Sequence, residues 1–271
     1  MNGSILLAGC GTMGGALLEG WLERGIQAEA VIVVEPSRDI AGALRRRGGL
    51  TVVGAPGDIG ADVRPEVVVF AVKPQAMDAV APAYKRFAGP GTVFLSIAAG
   101  KTIGYFEDRL GADAAIVRSM PNTPAAVRRG ITVACPNGLV TPDHQRRCHD
   151  LLEAVGEVAW VDDEALLDAV TAVSGGGPAY VFLLVECLAR AGADAGLPAD
   201  LALRLARVTV SGAGELLRRS TDAPEALRQS VTSPGGTTEQ ALKVLMAADG
   251  WQPLLTRAIA AAAGRSRQLA G

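Results

Sequence analysis

Ser4-Ile5-Leu6-Leu7-Ala8-Gly9-Cys10-Gly11-Thr12-Met13-Gly14 is the stretch that decides the fold. An apolar run enters G-x-G-x-x-G directly, and a helical pattern opens at Thr12. Gly9 allows the tight turn, Gly11 lets a pyrophosphate approach the backbone, and Gly14 lets the helix pack on the strand. Free N–H groups and the dipole at the helix start favour phosphate. The next strand pattern ends at Val34-Glu35-Pro36-Ser37-Arg38, about twenty residues on, where a dinucleotide fold reads the ribose 2′ position. Gly9, Cys10, Gly11, Thr12, Met13 and Gly14 are thus candidate cofactor contacts, with Glu35, Ser37 and Arg38 at the ribose. Glu35 suits the hydroxyl of NADH, whereas Ser37 and Arg38 suit the 2′-phosphate of NADPH, so the residues alone leave that choice open. The plain alternative, a glycine turn without a ligand, does not explain the strand before it and the helix after it.

Outward from this motif, short β-branched runs alternate with helical patterns. Ile5–Ala8, Val31–Val34, Val67–Val72, Val93–Ile97 and Ala115–Val117 read as strands buried on both faces of a parallel sheet. Thr12–Arg24, Asp39–Arg47, Gln75–Phe87 and Thr102–Arg109 read as the helices between them. Ile131–Cys135 and Glu157–Trp160 add late strands around a helix near Asp143–Val155. This alternation predicts a doubly wound α/β sheet over residues 1–161. From Asp162 the strand signal disappears. Ala165–Val173, Ala179–Ala193, Ala199–Arg219, Glu225–Ser230, Glu239–Ala248 and Pro253–Leu269 predict an all-α part over residues 162–271, with Pro198, Pro224 and Pro253 near helix starts. Ala179–Leu188 carries one charge, Glu186, so it is expected to be covered all round by a partner subunit.

The whole chain agrees with this layout. Its 271 residues suit one large or two modest domains. Apolar residues are 49 % and charged residues 20 %, enough for a real core. The net charge of −2 gives no bulk attraction for nucleic acid or an anionic membrane. Cys10, Cys135, Cys148 and Cys187 form no CxxC pair, so reduced thiols in a cytoplasm are expected. Ser4–Gly9 reads as a strand rather than a secretory leader. Ser174-Gly175-Gly176-Gly177-Pro178 is expected to break the longest uncharged stretch before it could span a membrane.

Further signals fall at strand ends and helix starts. Ala71-Val72-Lys73-Pro74 follows a strand, where ligands of open sheets lie; Lys73 would face the cofactor, or else only solvent. Ser96, Ala98 and Ala99 end the following strand with small side chains. In Met120-Pro121-Asn122-Thr123-Pro124 two prolines stiffen a loop that could place Asn122 near the nicotinamide; a rigid turn explains it equally well. Ser174–Pro178 suits either a helix start at the cleft or a helix junction. Val231-Thr232-Ser233-Pro234-Gly235-Gly236-Thr237-Thr238-Glu239 precedes a helix and offers hydroxyls, flexible glycines and free N–H groups, a seat for a carboxylate. A Ser/Thr cap alone would not need both glycines. His144 and His149 lie in a polar segment read as a surface helix, and no cluster suggests a metal. After residue 162 the only lysine is Lys243. Few strong acids are available there, which suits reduction of an iminium that already carries its proton.

Together, Gly9–Gly14, Ala71–Gln75, Ser96–Gly100, Met120–Pro124 with Gly130, Ser174–Tyr180 and Val231–Thr238 resemble the pyrroline-5-carboxylate reductase family from end to end. The resemblance implies a Rossmann-type dinucleotide domain and a helical substrate-binding and dimerisation domain. It implies NADPH, with NADH as a second cofactor, and reduction of L-1-pyrroline-5-carboxylate to L-proline. It further implies a cytoplasmic homodimer through the helical part and a ring of such dimers, up to a decamer. By position, Thr238 would hydrogen-bond the ring nitrogen, while Ser233, Gly235, Gly236 and Thr237 hold the carboxylate. Gly176 departs from the family, which usually carries serine there. A 2-hydroxyacid or 6-phosphogluconate-type dehydrogenase is similar in its first half, but relies on a lysine early in the helical domain that this chain lacks. A non-catalytic nucleotide-binding regulator would not need the Ser233–Thr238 loop.

Overall fold

The structure is a computed structural model that describes residues 4–270. Its strands are β1 (Ser4–Ala8), β2 (Val31–Val34), β3 (Thr51–Val53), β4 (Pro65–Phe70), β5 (Val93–Ser96), β6 (Ala115–Met120), β7 (Gly130–Pro136) and β8 (Gly156–Trp160). The α-helices are α1 (Thr12–Glu23), α2 (Arg38–Arg47), α3 (Met77–Val80), α4 (Ile103–Leu110), α5 (Pro142–Glu153), α6 (Leu166–Val170), α7 (Gly177–Asp194), α8 (Ala199–Arg219), α9 (Pro224–Ser230), α10 (Thr237–Leu245) and α11 (Trp251–Ala270). The chain up to Gly175 and the stretch from Ala263 form one compact unit, and Gly176–Ala262 form a second.

The first unit is a single sheet ordered β3-β2-β1-β4-β5-β6-β7-β8. Strands β1 to β6 pair in parallel, and β7 alone runs antiparallel to β6 before pairing in parallel with β8. The order reverses between β1 and β4, the switch point at which a dinucleotide crevice opens. Side chains alternate across each strand, so both faces are buried. Ile5, Leu7, Val33, Val69 and Leu95 face Leu17, Leu18 and Trp21 of α1 and Leu151 and Leu152 of α5. Leu6, Val68, Phe70 and Phe94 face Met77, Tyr84 and Phe106 on the other side. Each such side chain contributes roughly 1.5–3 kcal/mol of burial.

Three expectations need correction, and one strand comes in addition. Gln75–Phe87 is not one helix: only α3 is α-helical, between the 3-10 turns Pro74–Ala76 and Ala81–Phe87. Pro82 lacks the N–H an α-helix needs there. Thr51–Val53 is an edge strand that the sequence did not announce. The glycine run does not break the helical stretch. A π-turn over Thr171–Gly175 links α6 to α7, and the run Leu166–Asp194 is long and apolar enough, by length and composition, to cross a membrane. Finally, His144 is buried rather than on a surface. It sits at the third position of α5, and its N–H donates to Thr141 Oγ1 at 3.2 Å.

The second unit is helical. α7 and α8 are joined by a turn in which Gly196 takes φ +101°. They approach closely where Gly192 meets Ala202: a Cβ there would lie 3.3 Å from the alanine methyl. Only Ala202 and Ala206 of α8 are buried, and no residue of α7 is. Val181, Phe182, Leu183 and Leu188 of α7 and Leu203, Leu205 and Val208 of α8 are exposed in the single chain. That pattern is the one expected of helices awaiting a partner.

Candidate active site

The glycine motif folds as its spacing predicts. Gly9 follows β1 at φ +88°, and its N–H donates to Val34 O at 2.9 Å. Any Cβ at Gly9 would strike Ala71 O and Val72 Cγ1, at 2.9 and 2.8 Å. The loop after β1 therefore lies against the loop after β4, on either side of the switch point. Gly14 is pressed on the Gly9 carbonyl and lies 3.1 Å, measured from an added Cβ, from the Ala71 methyl. Gly11 is the N-cap of α1, and no side chain caps that end. Nothing lies within 4 Å of where its Cβ would be. An open helix N-terminus floored by glycine is what a pyrophosphate requires, so the residues present fit a dinucleotide.

Glu35 belongs to the same cluster. It is 7 % exposed. Its Oε2 accepts the Cys10 N–H at 2.8 Å and its Oε1 accepts the Ser37 N–H at 2.9 Å. Burial, and then the Glu35 charge, push the Cys10 thiol up to about 11. Ser37 is the N-cap of α2 without a side-chain capping bond, and Arg38 is exposed beside it. Lys73 is exposed at the turn after β4. Ser96 is buried at the end of β5; its hydroxyl accepts the Ala98 N–H at 3.2 Å and its carbonyl accepts from Ser119 Oγ at 2.9 Å. Ala98 is buried and Ala99 exposed.

Asn122 is used at both ends of its amide. Nδ2 donates to Ser174 O at 3.2 Å, and Oδ1 accepts the Ile131 N–H at 3.0 Å. It ties the loop after β6 to the π-turn, whose Gly175 packs against Met120 so closely that a Cβ would lie 2.6 Å from the methionine methyl. Two residues that the sequence did not single out support this region. Arg118 of β6 is 5 % exposed and its Nη1 donates to Glu164 Oε1 at 2.7 Å. The same oxygen accepts the Ile103 N–H at 2.8 Å, so one carboxylate joins β6, the start of α4 and the segment before α6. A charge within an otherwise apolar strand pattern at Arg118 was the available signal, but nothing near it in the sequence named Glu164 as its partner. The far end of α11 also belongs to the first unit. Ser266 Oγ donates to Asp168 Oδ1 at 2.6 Å, and Gly100, at φ +71°, packs on Leu269.

The Ser233–Thr238 stretch lies in the second unit. Gly236 is the N-cap of α10, with no side-chain capping bond. Gly235 takes φ +72°, and its N–H donates to Glu239 Oε2 at 2.9 Å. The Gly236 N–H donates to Ser233 O at 3.0 Å. The loop is thus wound tightly onto the helix start, leaving Ser233, Thr237 and Thr238 at least partly exposed around it. Among the described residues, no group of three or more His, Cys, Asp or Glu is placed to hold a metal.

Two family models match the chain. One described as pyrroline-5-carboxylate reductase dimerisation covers residues 164–269, and one described as NADP oxidoreductase, coenzyme F420-dependent, covers residues 4–100. A pyrroline-5-carboxylate reductase of Pseudomonas aeruginosa is 40 % identical over 98 % of this chain and 96 % of its own length. A solved pyrroline-5-carboxylate reductase of Coxiella burnetii superposes with TM-score 0.93 at 33 % identity over all of both chains. A Plasmodium falciparum pyrroline carboxylate reductase, solved with NADP bound, superposes at 0.82 and 28 % identity, covering 100 % of this chain and 99 % of its own.

Proposed function

The chain belongs to the pyrroline-5-carboxylate reductase family, and from that premise we infer which of its residues carry the reaction. It is an NAD(P)H-dependent oxidoreductase that reduces L-1-pyrroline-5-carboxylate to L-proline, the last step of proline biosynthesis. NADPH, when bound, supplies the hydride. The protonated ring nitrogen of the substrate is the electron sink. As hydride reaches the imine carbon, the π pair of the C=N bond becomes a lone pair on nitrogen, and a secondary amine results. No acid of shifted pKa is needed, in keeping with a second unit whose only lysine is Lys243.

Thr238 is the residue we place at that nitrogen: its hydroxyl accepts the iminium N–H and holds the ring for attack. Ser233 and the backbone of Gly235, Gly236 and Thr237 receive the carboxylate, which takes over the Gly235 and Gly236 N–H groups from Glu239 Oε2 and Ser233 O. The observation carrying this is the start of α10, where Gly235 at φ +72° winds the loop onto an uncapped helix end ringed by hydroxyls. Such an end holds an anion without a charged side chain. Gly9, Cys10, Gly11, Thr12, Met13 and Gly14 take the pyrophosphate, with Glu35, Ser37 and Arg38 at the ribose. Ala71, Val72, Lys73, Pro74, Ser96, Ala98, Ala99 and Asn122 line or brace the remainder of the cofactor crevice. The exposed apolar faces of α7 and α8 meet a second copy, and dimers close into a ring; a cytoplasmic setting fits that arrangement.

Turnover of pyrroline-5-carboxylate by Thr238→Ala tests the assignment. The expected loss in kcat/KM is roughly one to three powers of ten, the scale of one transition-state or positioning hydrogen bond, with nucleotide binding kept. Unchanged kinetics would remove Thr238 from the mechanism.

A further inference from the structure

Glu35 decides a question that the sequence leaves balanced. Three hydrogen bonds hold it. Its carboxylate accepts from the loop after β1 through Cys10 N–H and from the start of α2 through Ser37 N–H, while its own N–H donates to Val53 O of β3 at 3.0 Å. With 7 % exposure and both oxygens engaged, the group cannot swing aside when a nucleotide enters. Each carboxylate oxygen still has lone-pair capacity, so a ribose 2′-hydroxyl can donate to it. A 2′-phosphate cannot, and it brings about −1.5 to −2 charges to a carboxylate that is fixed in place. Arg38, by contrast, is an exposed side chain with freedom to move toward a phosphate or away from it.

We propose that Glu35 is the specificity-determining residue of the cofactor site: it makes this reductase an efficient user of the 2′-hydroxyl nucleotide, NADH, and sets a low ceiling on its preference for NADPH. This rests on the cofactor-site reading above. The chemistry is like-charge exclusion on one side and hydroxyl recognition on the other, with Ser37 and Arg38 supplying the residual tolerance for the phosphate.

The test uses the full-length protein and two variants, Glu35→Ser and Glu35→Gln. The second keeps the side chain's size and one acceptor for the Cys10 N–H while removing the charge. Calorimetric binding of adenosine 5′-diphosphate and adenosine 2′,5′-bisphosphate is measured beside kcat/KM for NADH and NADPH. Both variants are expected to raise the bisphosphate-to-diphosphate affinity ratio, and the NADPH-to-NADH ratio of kcat/KM, by about tenfold or more, the combined effect of removing one hydroxyl hydrogen bond and one repulsion. If both variants bind nucleotide but shift the two ratios by less than about threefold, Glu35 is only a lock between loops and the proposal is overturned. If the unaltered protein binds neither adenosine nucleotide, the cofactor-site reading falls first, and this proposal with it.

Discussion

Removing Glu164 should unsettle the first unit far more than its partly open position suggests. Arg118 is 5 % exposed and Glu164 accepts from it at 2.7 Å. Glu164→Ala therefore leaves a guanidinium buried on β6, inside the sheet, without the carboxylate it donates to, and strips Ile103 N–H of its 2.8 Å acceptor. Breaking a buried pair from one side costs about 3–5 kcal/mol. The Glu164 side chain is 29 % exposed, so water can partly replace it, and the lower figure, about 3 kcal/mol, applies. At about 2–4 °C per kcal/mol for a unit of this size, the melting midpoint should fall by roughly 6–12 °C. Arg118→Met is the informative contrast. It keeps the packing on β6, removes the buried charge, and leaves Glu164 near water with Ile103 still bonded, so about 1 kcal/mol is expected. The double variant Arg118→Met/Glu164→Gln should sit close to Arg118→Met alone, because no charge is then stranded. Urea unfolding followed by circular dichroism and by tryptophan fluorescence, to which the fully buried Trp21 contributes with Trp160 and Trp251, at one fixed subunit concentration, reads all three. A Glu164→Ala cost below about 1 kcal/mol, or a double variant as costly as Glu164→Ala alone, would refute the reasoning.

Two other outcomes follow from burial. Phe182 is 64 % exposed on α7; Phe182→Glu should weaken subunit association by about a hundredfold or more, since an unpaired charge would be buried in the contact, and an unchanged mass by sedimentation would place the interface elsewhere. His144 is held below the ordinary histidine range by burial first and then by the Arg147 cation. Its imidazole is thus more readily protonated in the unfolded chain, so its contribution is intact above about pH 6.5 and is lost as pH falls through that value toward the lowered folded one. His144→Gln should flatten the drop in urea midpoint between about pH 7.5 and about pH 5.5, on either side of the ordinary histidine value, and an identical drop in both proteins would remove His144 as a cause.

The fold was largely legible because the information is local. A β-branched run, a glycine turn and a helix start mark each crossover, and nearly every strand and long helix lies where its pattern falls. Thr51–Val53 is too short to show a period, and its place at the sheet edge comes from pairing with β2. The 3-10 turns around α3 follow from Pro74 and Pro82, which withhold N–H groups from a stretch whose apolar spacing is otherwise helical. His144 was hidden by polar neighbours, yet His144, Cys148, Leu151 and Leu152 recur at one-turn and two-turn spacing and form the buried stripe of α5. In the site, the glycine motif could be read directly. The bonds that fix it could not, because they join residues distant in the chain: Asn122 with Ser174, Arg118 with Glu164, and Cys10 with Glu35. A residue type at a strand end says what it can accept, not what already occupies it.

The last turns of α11 carry a consequence for how the protein is made. Ala263 and Ser266 are buried against the first unit, Ser266 is bonded to Asp168, and Leu269 covers Gly100. A ribosome delivers these residues after every strand of that unit and after the whole of Gly176–Ala262. At about 5–20 residues per second, the chain after Gly175 takes on the order of 5–20 s to appear. For that interval the nucleotide-binding unit has all its strands and none of its final covering, and its Asp168 and Gly100 surfaces stay open to water, chaperones and proteases. Its folding therefore ends only after the second unit has been made, and a premature stop within α11 would strike the unit whose strands emerged before it.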